Sequence, residues 1–143
     1  MTVPLSSQRP THKWVAFAGL AWNLLGLLAF AMQFSMNAEQ VAALPAADRA
    51  VHDATPAWLM AAFALAVGGG VIGSVGLLLR RRWAVPAFAV SLVALLLQIG
   101  GGYLATPLWR ASGVAGAAMP ALLLVVAVLL LRYARRATPE TRP

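Results

Sequence analysis

The chain reads as an all-α integral membrane protein, a bundle of four spanning helices, on three grounds. Of its 143 residues 61% are hydrophobic and 10% charged, with a mean hydropathy of +0.78, whereas soluble domains average about 45–50% apolar and about 25% charged residues. The charges divide the chain into uncharged runs of 25 residues after Lys13, 26 after Asp53, 27 after Arg82 and 21 after Arg110. A helix needs about 20 mainly apolar residues to cross roughly 30 Å of hydrocarbon, so each run suffices. Finally, the runs lack period-two alternation and are too long for barrel strands. Together these exclude a soluble enzyme, a secreted domain and a disordered chain. The absence of cysteine excludes disulfide scaffolds and thiol chemistry.

The spans are expected at residues 14–36, 56–79, 83–105 and 111–131 of a single membrane domain, between tails at 1–13 and 132–143. Pro56 and Pro107 fall at or just before helix starts and Pro86 in a first turn, where a missing N–H costs nothing. Pro120 lies a third of the way along the fourth span, which predicts a bend there with the freed carbonyl satisfied by a neighbour. The loop at 37–55 is too long for a hairpin turn. Its Ala-Glu-Gln-Val-Ala-Ala-Leu segment is expected to form a short surface helix ended by Pro45. The first span is not expected to be a cleaved signal, because its apolar run continues past the small residues Ala29-Phe30-Ala31.

Four crossings put both termini on one side. That side holds Arg9, Lys13, Arg80, Arg81, Arg82, Arg132, Arg135, Arg136 and Arg142, nine of the eleven cations; the other holds Arg49 and Arg110 with Glu39, Asp48 and Asp53. The positive-inside rule then places both termini and the Arg80-Arg81-Arg82 turn in the cytoplasm. The net charge of +7 is therefore assigned to topology and to anionic lipid headgroups, not to nucleic acid. Trp14, Trp83, Trp58 and Trp109 sit at span ends, as interfacial anchors do.

Lipid removes the hydrophobic drive between helices, so small residues and hydrogen bonds must join them. The second span carries Ala62, Ala66, Gly70 and Ser74 in one row, beside a G-x-x-x-G made by Gly69 and Gly73. It is expected to be the most enclosed helix. The alternative for Gly68-Gly69-Gly70 is an unwound segment whose carbonyls bind an ion or substrate. Polar residues form two stripes: Gly19, Asn23, Gly26, Phe30, Gln33 and Asn37 on the first span, and Ser91, Leu95, Gln98 and Gly102 on the third. Asn23 with Ser91, and Gln33 with Gln98, fall at similar depths, so the stripes are expected to meet, either as interhelical hydrogen bonds or as the lining of a solute path. The two hairpins also share Thr-Pro-x-Trp and Leu-Leu-Leu-Arg segments. Duplication and common interface chemistry both account for these.

No Asp, Glu, His, Lys or Arg falls within an expected span, which removes the usual means of proton coupling and voltage sensing. His12 and His52 lie forty residues apart without ligand spacing, so neither metal nor cofactor is expected. A Ser35, His52 and Asp53 triad has no support in spacing.

Trp22-Asn23 with Gly26, Pro56-Ala57-Trp58, Ala66-Val67-Gly68-Gly69-Gly70, Gly73-Ser74, and Leu77-Leu78-Leu79-Arg80 through Trp83-Ala84-Val85-Pro86 with Phe88 and Ser91-Leu92 together resemble a family of small four-helix inner-membrane proteins of proteobacteria. The likeness spans about residues 14–136. The family's members often carry the label sugar transporter without an assigned mechanism. The resemblance implies a four-helix fold in the bacterial inner membrane and supplies no catalytic or binding residues. Two functions are expected from the sequence. The favoured one is a non-enzymatic accessory protein that docks a membrane partner, itself as a homodimer, or anionic lipid. The other is a small carrier or channel for a neutral polar solute such as a sugar.

Overall fold

A computed structural model describes residues 10–138. Among them the chain is helical throughout, in seven α-helices and one 3-10 turn: α1 (Pro10–Phe34), α2 (Ala38–Ala42), α3 (Ala46–Ala54), α4 (Ala57–Leu78), α5 (Ala84–Ala105), α6 (Leu108–Ser112), the turn Ala115–Ala117 and α7 (Ala118–Ala137). Four stretches, Thr11–Phe34, Ala57–Leu78, Ala84–Ala105 and Ala115–Ala137, are long and apolar enough to cross a membrane. Arg9 and Arg142 lie outside the described residues.

α4 is the hub, with α1 packed along one side, α5 along another, and α7 resting mainly on α5. The physical reason is the absence of side chains on two of its faces. Toward α1, the Asn23 side chain fills the space that a Cβ at Gly70 would take, and a Cβ at Gly26 would touch Val67. Phe30 meets Phe63 edge to face, with centroids 5.3 Å apart. Steps of three and four up α1 are thus matched by equal steps back along α4, the signature of one continuous antiparallel seam. Toward α5, a Cβ at Gly69 would lie 3.1 Å from Ser91 Cβ and one at Gly73 2.8 Å from the Phe88 ring.

The tryptophans at the ends of the α4–α5 hairpin complete this packing. Trp83 covers Gly76, where a Cβ would stand 2.8 Å from the ring, and Trp58 covers Gly101. Both remain partly exposed, so they act as packing residues as well as occupying the positions of interfacial anchors. The core residues Ala16, Leu77, Ala84, Phe88, Leu130, Leu131 and Ala134 join all four long helices near the end that carries the termini. A second cluster of Ala66, Ala94 and Leu95 lies where α4, α5 and α7 meet. The outward faces carry large apolar side chains such as Phe17, Leu65, Val93 and Leu129, each more than half exposed.

The structure corrects the expected fourth span. It is not a helix from residue 111 bent at Pro120. Gly113 takes a positive φ of 57° and ends α6, the Ala115–Ala117 turn follows, and α7 begins at Ala118. Pro120 therefore sits in the first turn of α7, where no intrahelical partner for its nitrogen is lost. At its other end α7 runs on to Ala137, beyond the expected 131 and into the tail assigned to 132–143. α1 likewise begins at Pro10, inside the expected 1–13 tail.

The 37–55 segment holds two helices instead of one. α2 is opened by a capping box in which Asn37 Oδ1 accepts from Gln40 N and Gln40 Oε1 accepts from Asn37 N, both at 2.9 Å. It ends at its C-cap Ala43, before the expected stop at Pro45, which instead serves as the N-cap of α3. Arg49 donates to the carbonyls of Ala42 and Leu44, which satisfies the carbonyl end of α2. α3 rests on α6, so α2, α3 and α6 cap the end of the bundle opposite the termini.

Gly68 has nothing within 4 Å of a Cβ position, whereas Gly70 has none of that space. Gly68→Ala is expected to be neutral or to stabilise the helix by up to ~1 kcal/mol. Gly70→Ala should destabilise by about 1–3 kcal/mol through overpacking. Pairing it with Asn23→Ala should recover part of that loss. Steric-trapping or detergent-titration unfolding of the purified variants measures all three, and equal costs at the two glycines would contradict this packing.

Candidate functional site

Asn23 and Ser91 are each held on α4 and not against each other. Asn23 Nδ2 donates to Gly19 O at 2.8 Å and to Ser74 Oγ at 3.3 Å. Ser91 Oγ donates to Ala66 O at 2.5 Å. Ser74 is fully buried and Ser91 nearly so. Since Asn23 lies on the Gly70 side of α4 and Ser91 on the Gly69 side, α4 separates the two stripes that were expected to meet. Their depths do match, but depth along a helix does not fix the direction a residue faces.

Gln33 and Gln98 do not come together either. Gln98 is half-buried on α5, with no side-chain hydrogen bond to the described residues. Gln33 is exposed and lines a cleft of about 670 Å³ beneath the α2–α3 cap. That cleft is bounded by the end of α1 with α2, α3 and α6, and its polar groups include Gln40, Asp48, His52 and Ser112. His52 and Asp53 are paired loosely, at 3.4 Å. None of its lining residues belongs to α4 or α5, so it is a pocket of one end and does not enter the bundle. α4 is continuous helix through Gly68-Gly69-Gly70, and the space beside Gly69, Gly70, Gly73 and Gly76 is occupied by neighbours. Ala62 and Ala66 are buried on the same helix.

At the other end the structure builds a junction with no signal in the sequence. His12 Nε2 lies 3.0 Å from Leu77 O, and its Nδ1 lies 3.1 Å from the Tyr133 hydroxyl. The rings of His12 and Tyr133 are stacked, with centroids 5.7 Å apart. A carbonyl only accepts, so Nε2 carries the proton, and in neutral imidazole Nδ1 then accepts from Tyr133 O–H. One side chain thus ties the start of α1 to the last turns of α4 and α7.

The same turn of α4 ends in a Schellman arrangement. Arg81 N donates to Gly76 O at 2.8 Å and Arg80 N to Leu77 O at 3.1 Å. Its left-handed position is filled by Arg80, at φ 52°, where glycine is usual. An arginine kept at a strained position places charge beside Arg81 and Arg82 at the cost of local backbone energy. Arg80, Arg81 and Arg82 are all exposed. At the opposite end Thr55 Oγ1 donates to Val51 O, as Thr106 Oγ1 does to Gly102 O. Each threonine closes a helix before a proline. Yet Pro56 opens the long α4 and Pro107 the five-residue α6, so the shared Thr-Pro-x-Trp segments are a common corner and not equivalent hairpins.

Among the described residues there is no group of three or more His, Cys, Asp and Glu placed to hold a metal ion. Comparison with protein-family models, with curated proteins and with solved structures finds no match for the chain.

Tyr133→Phe removes one hydrogen bond of the junction and leaves the His12–Leu77 bond, so it should cost about 0.5–1.5 kcal/mol. His12→Ala should cost more and raise the proteolytic sensitivity of the α1 start. Unfolding titrations with limited proteolysis read both effects, and an unchanged His12→Ala protein would remove the junction from the account.

Proposed function

We propose that the chain is a multi-pass protein of the bacterial inner membrane with both termini and the Arg80–Arg82 turn in the cytoplasm. In this reading it acts without catalysis, by packing helices against a membrane partner or a second copy of itself. One observation carries the functional choice: the mid-span polar side chains Asn23, Ser74 and Ser91 are consumed between helices. They hold α1 and α5 to α4 and are not free to line a path through the bundle. Four long apolar helices support the membrane setting. The crowding of cations at one end supports the orientation. The bacterial inner membrane rests on the resemblance drawn from the sequence motifs.

A carrier for a neutral polar solute is the second reading. The end cleft favours it, since Gln33, Gln40 and Ser112 offer amides and hydroxyls beside apolar walls. Such a mixed lining suits a small hydroxylated molecule. The cleft's confinement to one end is why this reading ranks second.

Purified protein in liposomes should show no uptake of radiolabelled hexoses or polyols above protein-free vesicles. Asn23→Leu should remain folded and helical, because interhelical hydrogen bonds average only about 0.6 kcal/mol, with a maximum near 1.7. Saturable uptake abolished by Gln33→Ala would establish the carrier instead.

A further inference from the structure

We propose that the groove between α1 and α7 is a seat for one anionic phospholipid. The groove encloses about 600 Å³. On α1 it is walled by Val15, Ala18, Gly19 and Trp22, spaced three and four apart on one helical face. On α7 the matching face runs from Val126 through Leu130 to Tyr133. Gly19 and Leu130 close the floor, for a Cβ on Gly19 would lie 2.9 Å from Leu130 Cδ2. The small side chains of Ala18 and Gly19 are what keep the two helices from filling the space between them.

The groove is apolar along its length and cationic at one end, where Arg132 and Arg136 line it one helical turn apart. Both are exposed. Among the described residues the acidic side chains, Glu39, Asp48 and Asp53, all sit on the α2–α3 segment at the opposite end, so no described carboxylate competes for these guanidinium groups. The ten residue steps from Arg136 to Val126 cover about 15 Å of helix, half of the roughly 30 Å hydrocarbon core. An acyl chain descending from a phosphate held by Arg132 and Arg136 therefore reaches Trp22 near the middle of the bilayer. Planar guanidinium groups pair with phosphate oxygens through parallel hydrogen bonds. A lipid matches both halves of this groove, its apolar wall and its charged mouth. The His12–Tyr133 contact sets the width of the mouth by tying α1 to α7 there.

The inference rests on membrane insertion and stands apart from the choice between accessory protein and carrier. Purified full-length protein, offered equal amounts of phosphatidylglycerol and phosphatidylcholine in mild detergent, is analysed by native mass spectrometry. One phosphatidylglycerol should be retained with a preference of roughly thirty-fold, the equivalent of about 1 kcal/mol for each arginine. The double variant Arg132→Gln with Arg136→Gln should bring the preference to near unity. Ala18→Leu, which fills an exposed position of the groove, should do the same with both arginines in place. Arg110→Gln, on α6 at the opposite end of the bundle, should leave it unchanged. Helicity and elution volume identify folded variants. Equal retention of the two lipids, a preference that survives Ala18→Leu, or a protein dimer cross-linked through Trp22 in place of a lipid adduct would each overturn the proposal.

Discussion

Backbone contact along α4 is the constraint on which the rest of the structure depends. A chain this poor in charge has few ways to join its helices, and in a lipid setting the hydrophobic effect would supply none of them. Contact must then come from surfaces that fit. α4 provides two, one where Gly70 accepts the Asn23 side chain and one where Gly69 and Gly73 accept Ser91 and Phe88. Because its glycines open both faces, a single helix holds two neighbours at close range. α7, which has no such face on α4, rests mainly on α5 and leaves a groove beside α1.

The polar groups follow the same economy. Asn23 and Ser91 each reach onto α4, so their hydrogen bonds reinforce contacts that the glycines make possible. His12 performs the equivalent task at the end that carries the termini, where it meets Leu77 of α4 and Tyr133 of α7. The Arg80 turn lies directly beside it, since Leu77 O accepts from both Arg80 N and His12 Nε2. Cationic turn, helix end and α1–α7 contact are thereby one connected unit. In the proposed orientation that unit lies at the level of the cytoplasmic headgroups.

Much of this was legible in the sequence. The four long apolar helices follow from composition and charge spacing, and the small residues of α4 identify it as the helix its neighbours approach most closely. Other features were hidden for physical reasons. Val114 to Ala118 is apolar, so hydropathy runs straight through a break that Gly113 makes with one backbone angle. Pro45 reads as a stop, yet a proline before a helix also starts the next, and α3 follows it. Counting residues from a membrane edge gave the levels of Asn23 and Ser91 but not their azimuths, which is why the stripes were expected to meet. The His12–Tyr133 pair joins positions at the two extremes of the described chain and leaves no local pattern to detect.

Both the packing and the functional proposals presuppose that the helices lie across a bilayer with the arginine-rich end inside. The chain has no cysteine, so single cysteines can be placed without background. Labelling of intact bacterial cells with a membrane-impermeant maleimide tests the claim most directly. A cysteine at Glu39 should react without permeabilisation, and one at Arg81 only after the inner membrane is opened. Reaction at Arg81 in intact cells, or recovery of the protein in the soluble fraction without detergent, would contradict it.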